Sequence, residues 1–477
     1  RRQRQMCIRD SIKATNRYMG MLCRTGLLLE RNENTKDLKK QLTVRPIVNT
    51  DYGFAPPSFK VYRTGKNSIC VPRFFLPSGK HSDKRPEPSR TVFDFVGSLR
   101  DSTRQNEAFS KAVDALNKVG GGILSLPCGY GKTTVALAIA AHMKVRTMVI
   151  VHKEFLANQW KERIKQFCPK AKIGIVQRNK IEIEGNDVII AMLQSLSMKD
   201  YEFNLFDSIG MVIVDEAHHI CAQVFSQAFF KFCPKYTLGL SATPERKDGL
   251  TDVLYWFLGP NILTIERENR GKTVVICHPY KCEYFKTQPP MARNGKISLP
   301  NMITELTEIT ERNDYIENLA RKYAAGSRRI LILSERRFHC EELARRLQDL
   351  GSGLYMGGMK EKELEESSKQ KIIVGTFSQA QEGLDIPVLD TVILSTPKSD
   401  VKQAVGRILR ETKGKKNYPI ILDIKDNWAL LPSMHYKRRK MYKESGFEIE
   451  TEGKDEDDES RNKKQLTLTH FAFIDRE

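Results

Sequence analysis

From about Thr91 the chain alternates short apolar runs with longer stretches of mixed character. The runs are GILSL (122–126), RTMVIV (146–151), KIGIV (172–176), DVIIAM (187–192), MVIVDEA (211–217) and YTLGLSAT (236–243). They lack the every-second-residue polarity of a strand with one wet face, so they predict strands buried on both faces. Strands alternating with helical stretches such as KTTVALAIAAHM (132–143) predict a parallel α/β sheet. The rhythm breaks near Arg267 and resumes with RRILILS (328–334), GLYM (353–356), KIIVGT (371–376), TVILST (391–396) and YPIILDI (418–424). The pattern therefore predicts two α/β units, 91–266 and 301–445, with a linker over 267–300. Residues 12–90 are turn-rich and read as a small accessory region whose segment 78–90, SGKHSDKRPEPSR, leads into the first unit. The charged run EGKDEDDESRNKK (452–464) makes 446–477 a disordered, solubilising tail. MCIRDS (6–11) is what a sequencing-transposon end encodes, so 1–11 is set aside as a library scar and the natural start is open.

Charge changes this picture. The 477 residues carry 78 Lys and Arg against 58 Asp and Glu, a formal +20. The first hundred hold 21 of the former and 8 of the latter, a net of +13. Such a surplus favours a polyanionic partner, and nucleic acid first, although a solvated lysine-rich face also fits. The ten cysteines show no framework, which points to an intracellular, reducing compartment. Cys277, His278 and Cys282 lack the second pair that a zinc site needs. No apolar run approaches the roughly 20 residues of a membrane helix, so no membrane is expected among the partners.

Candidate chemistry gathers at the predicted strand ends, where open α/β sheets bind ligands. LPCGYGKTT (126–134) follows one strand and opens a helix, the setting of a phosphate loop. Leu126 stands where the general pattern has its first glycine. Pro127, Cys128, Gly129, Tyr130, Gly131 and Thr134 would cradle the phosphates. Lys132 would reach the β- and γ-phosphates, and Thr133 would ligate Mg²⁺. In MVIVDEAHH, Asp215 ends a strand and would hold the metal, while Glu216 would act as base toward water. A helix-capping role would account for Asp215 alone but not for two adjacent carboxylates. Ser241 and Thr243 of LSATPERKDG (240–249) suit bonding back to that loop. In QAVGRILR (403–410), Gln403, Arg407 and Arg410 fall on one helix face. They fit a triphosphate, and they fit an exposed basic helix equally well.

These motifs occur once each, in order, across two α/β units. They resemble the superfamily 2 helicases, whose box Asp-Glu-Ala-His appears here as 215–218 and whose phosphate loop dispenses with the first glycine. The resemblance implies tandem RecA-like domains with ATP and Mg²⁺ between them and a small basic N-terminal accessory domain. It implies coupling roles for His218, Ser241 and Thr243. It also implies nucleic-acid contacts at His152 and Lys153 (VIVHK), Gln194 and Ser195 (AMLQSL), Arg246, Ser334 (ILSERRFH) and Thr376 (GTFSQAQEGLDIP). Gly383 and Asp385 of that last motif would couple to nucleotide, and Gln105 of TRQNEAF (103–109) would read adenine. SATPERKDGL and GRILR resemble the XPB-like branch, although Lys247 replaces the glutamate usual there. LSERRFH and the basic N-terminal part resemble the poxvirus-type transcript-release DNA helicases of large eukaryotic DNA viruses.

The resemblance implies a DNA helicase or translocase, working in transcript release or repair, with RNA polymerase or repair proteins among its partners. A viral setting would place it in the virion or in the host nucleus or cytoplasm. Two other readings stay open at this point. One is an RNA helicase, the other an ATP-switched nucleic-acid scaffold without turnover.

Overall fold

Side chains alternate from face to face along a strand, so a run of uninterrupted Val, Ile, Leu and Met forms a sheet only where both faces are covered. The computed structural model describes residues 20–47, 56–76, 81–127, 129–246, 248–266, 271–293, 295–382, 384, 386–409, 415 and 417–452. It divides into two compact units, Arg1–Arg267 and Glu268–Glu477.

In the first unit the described residues include an eight-stranded sheet. Its order is Lys180–Ile181, Ile173–Gln177, Val188–Met192, Thr147–Val151, Met211–Val214, Tyr236–Ser241, Gly121–Ser125 and Asn261–Thr264. All neighbours run parallel except the first pair. One face carries Leu124, Val149, Ile190, Ile213 and Leu238, which pack with the buried stripe Ala108, Ala112 and Leu116 of the helix Gln105–Lys118. The helices Lys132–Met143 and Glu154–Phe167 cover the same face.

The other face shows how the N-terminal region is held. Ile123, Met148, Ile150, Ile189 and Val212 share one core with Leu27, Leu29, Leu42, Phe59 and Ile69. The described N-terminal residues include a five-stranded sheet, ordered Arg63–Thr64, Ser68–Val71, Gly26–Glu30, Gly20–Cys23 and His81–Asp83. Arg73 Nη1 donates to the carbonyls of Pro234 and Lys235, both at 2.9 Å. Arg24 pairs with Asp207, Nε to Oδ1, at 2.7 Å. The accessory region is thus one wall of the first unit's core.

The second unit has a seven-stranded, all-parallel sheet among its described residues. Its order is Ser352–Tyr355, Ile372–Thr376, Ile330–Ser334, Thr391–Leu394, Ile420–Asp426, Val274–Tyr280 and Glu448–Thr451. Leu331, Leu333, Val392 and Leu394 face one core; Ile330, Ile332, Ile393 and Leu422 face the other.

Two boundaries read from the sequence need correction here. Val274–Tyr280, placed in a linker, is a strand paired on both sides. Glu448–Thr451, placed in a tail, is that strand's neighbour and the sheet's last member. The proposed scar, 1–11, and the charged run from 453 onward lie outside the described residues.

Candidate functional site

The strand Gly121–Ser125 is buried throughout, and Leu126 continues it at 1% exposure. The Leu126 amide donates to the Ser241 carbonyl at 3.0 Å, tying the phosphate-loop strand end to its neighbour. Gly129 and Gly131 then take φ of +86° and +77°, which L side chains seldom adopt. A Cβ on Gly131 would sit 2.5 Å from Gln105 Nε2. Gly131 caps the helix Lys132–Met143, so the first amides of that helix open into the loop. Pro127, Tyr130, Thr133 and Thr134 are all partly exposed around it. Cys128 lies outside the described residues.

Gln105 is 2% exposed. Its Nε2 donates to the Tyr130 carbonyl at 2.9 Å, and its Oε1 accepts the Arg100 amide at 3.0 Å. The side chain expected to read adenine is committed to bracing the loop backbone.

Asp215 follows the buried strand Met211–Val214. Its Oδ2 accepts Trp160 Nε1 at 2.8 Å, and its Oδ1 accepts the Glu216 amide at 2.9 Å. Glu216 is 8% exposed, and its backbone sits at φ +46°. Lys132 Nζ lies 3.4 Å from Glu216 Oε1. His218 Nδ1 lies 3.6 Å from Glu216 Oε2 and 3.4 Å from Ser241 Oγ. Ser241 Oγ accepts the Thr243 amide at 3.1 Å. The structure therefore brings Lys132, Glu216, His218, Ser241 and Thr243 into one connected group.

Burial pushes the Asp215 carboxyl up, and the charge of Glu216 adds to it against Lys132. The carboxylate of Asp215 and the hydroxyl of Thr133 are hard oxygen donors of the kind Mg²⁺ takes, so the residues fit that ion. Burial lowers the His218 imidazole, against the pull of Glu216, which favours its neutral form.

The nucleic-acid candidates divide. His152, Lys153 and Gln194 are close: Gln194 Nε2 donates to the His152 carbonyl at 2.5 Å. Thr376 is partly exposed at its strand's carboxyl end, 3.4 Å from Ser378 Oγ. Three others also hold internal bonds. Ser195 Oγ accepts the Arg178 amide at 2.9 Å. The Arg246 guanidinium pairs with Asp248, Nε to Oδ1 at 2.9 Å, and donates to the His218 carbonyl. Ser334 is fully buried, its hydroxyl 2.9 Å from His339 Nδ1, and His339 Nε2 lies 3.0 Å from Asn313 Oδ1. Each of these three side chains is bonded within its own unit in this arrangement.

In the second unit Gln403 and Arg407 lie on the helix Lys402–Ile408. Arg407 is 7% exposed, which does not fit a solvated basic helix. Arg410, Gly383 and Asp385 lie outside the described residues.

Trp160, bonded to Asp215, is the residue at this site that the sequence pattern did not single out. Leu156, Trp160 and Ile164 recur every four residues and read as a core stripe, which they also are. The indole N–H is what gives Trp160 a second task.

Residues 98–246 match the family model described as the type III restriction enzyme, res subunit. A protein of Acanthamoeba polyphaga mimivirus, named a putative ATP-dependent RNA helicase, is 35% identical over 435 residues, covering 86% of this chain and 82% of its own. A putative helicase of Invertebrate iridescent virus 6 is 29% identical, covering 74% of this chain and 82% of its own. A putative ATP-dependent RNA helicase of African swine fever virus (isolate Pig/Kenya/KEN-50/1950) is 26% identical, covering 70% of each. The crystal structure of T4 UvsW aligns over 91% of this chain and 99% of its own, at 16% identity and a TM-score of 0.38. Among the described residues no helix is long and apolar enough to cross a membrane.

Proposed function

Because the chain belongs to the superfamily 2 ATP-dependent helicases, alongside the viral proteins just described, we propose that its track is DNA and its task is ATP-driven movement along it. The observation that carries the motor reading is the linked group at the strand ends, from Lys132 through Glu216 and His218 to Ser241. A phosphate-binding module alone has no use for a buried general base braced on two sides. Gly129 and Gly131 let the loop backbone approach a triphosphate, and Gln105 holds that loop in shape. Lys132 exchanges its carboxylate partner for phosphate oxygens. Glu216 orients and deprotonates the attacking water. Thr133 and Asp215 would hold Mg²⁺, which neutralises phosphate charge. The roles of Gln403, Arg407 and Arg410 toward the triphosphate rest on the family resemblance.

DNA is favoured by the restriction-enzyme family model over 98–246 and by the XPB-like sequence SATPERKDGL. Transcript release or repair, with a polymerase or repair protein as partner in a reducing intracellular compartment, belongs to the same proposal. RNA is the second reading, because two of the relatives are named RNA helicases. ATP turnover titrated separately with single-stranded DNA, duplex DNA and RNA decides between them. Stimulation by either DNA form supports the proposal; stimulation by RNA alone replaces it with the second reading.

A further inference from the structure

Three histidine rings run from the carboxylate group to the segment that carries His152 and Lys153. The His218 and His219 ring centroids are 4.3 Å apart at 37°, and those of His219 and His152 are 3.9 Å apart at 34°. At one end His218 Nδ1 is 3.6 Å from Glu216 Oε2. At the other, the His152 carbonyl accepts Gln194 Nε2. The stack spans the ends of two neighbouring strands, Met211–Val214 and Thr147–Val151. His152 is 7% exposed, so its ring contact is a packed one. Glu216, with its left-handed backbone, depends on its surroundings to hold it.

We propose that His219 is a positioning residue that couples nucleic-acid occupancy at His152–Lys153 and Gln194 to the placement of Glu216. Packed rings move together, so a shift of the His152 backbone, which Gln194 grips, carries through His219 to His218 and its carboxylate. This rests on the reading of the protein as a nucleic-acid-stimulated ATPase.

The test is a double-mutant cycle in the full chain: His152→Ala, His219→Ala, both together, and His219→Phe, assayed for ATP turnover against DNA or RNA concentration. One aromatic contact sets the scale, so His219→Ala lowers maximal stimulated turnover about 2- to 12-fold. Its half-saturating nucleic-acid concentration stays in place, and His219→Phe restores turnover by keeping a ring there. The double variant falls no further than the worse single one. Losses that multiply in the double variant overturn the coupling, and so does a His219→Phe protein as impaired as His219→Ala. A wild-type chain that no nucleic acid stimulates contradicts the proposed function instead.

Discussion

Replacing Trp160 with Phe separates packing from chemistry at the metal ligand. The Trp160 ring is 1% exposed in the core between helix and sheet, and Phe keeps most of that apolar contact. What it removes is the indole N–H, which reaches Asp215 Oδ2 at 2.8 Å. A hydrogen bond to a buried charged group contributes roughly 1.5–3 kcal/mol. If all of it orients the carboxylate, the change corresponds to about 10- to 150-fold. Losing the partner behind a metal ligand commonly costs about 10- to 100-fold in affinity or activity, which falls within the same range. The assay is steady-state ATP turnover across a Mg²⁺ titration, with thermal melts to confirm that the variant is folded. The loss should appear as a raised half-saturating Mg²⁺, a lowered kcat, or both. Nucleotide binding without Mg²⁺ should change little. A folded Trp160→Phe protein within about threefold of wild type in both quantities would refute the reading of Trp160 as the group that aims Asp215.

Other variants probe the rest of the account. Gly131→Ala meets both a positive φ and Gln105 Nε2, so nucleotide affinity measured by titration calorimetry should drop at least tenfold while the melting temperature moves only slightly. Arg438 is 1% exposed and bonds Asp423 Oδ1 at 2.6 Å and the Lys398 carbonyl at 2.8 Å. Arg438→Met strands a buried carboxylate and should cost about 3–5 kcal/mol in denaturant unfolding of the second unit. Burial alone would raise the Asp423 carboxyl, but Arg438 and His435 hold it well below the usual range. Its stabilisation is therefore present above the ordinary carboxylate pKa and is lost as pH falls through the lower folded value; acid unfolding of Arg438→Met should lack that component. Burial lowers the Arg73 guanidinium to about 10, yet it still serves the carbonyls of Gly120, Pro234 and Lys235 across the N-terminal contact. Arg73→Ala should open that contact to limited proteolysis before the eight-stranded sheet unfolds; equal protection in both proteins would remove Arg73 from the account.

The central strands of each sheet were legible because they are covered on both faces, and MVIV or ILILS admits little else. Val274–Tyr280 was not. Its run holds His278 and Pro279, which weaken a strand reading, and its partners lie more than a hundred residues later in the chain. Glu448–Thr451 pairs only as far as Cys277, so Pro279 sits past that neighbour's end and its missing N–H costs no ladder bond there. Glu448–Thr451 is an edge strand with charged positions, and by pattern alone it looks like the tail behind it. The short N-terminal strands carry too few residues each to show a period. Of the site, Lys132, Asp215 and Glu216 were readable from residue type and spacing. Ser334, Ser195 and Arg246 were placed by motif alone, and what a motif cannot show is whether a hydroxyl or guanidinium is already bonded to its own loop. Trp160 was hidden because its apolar ring satisfied the helix pattern.

Glu216→Gln tests the motor claim most directly. The amide keeps the size of the side chain but cannot take a proton from water. Nucleotide binding should stay within a few-fold of wild type, while nucleic-acid-stimulated ATP turnover and ATP-driven strand displacement fall together by about 10²- to 10⁴-fold. Turnover within tenfold of wild type, or displacement that survives without turnover, would contradict the assignment of Glu216 as the base and of this chain as an ATP-driven motor.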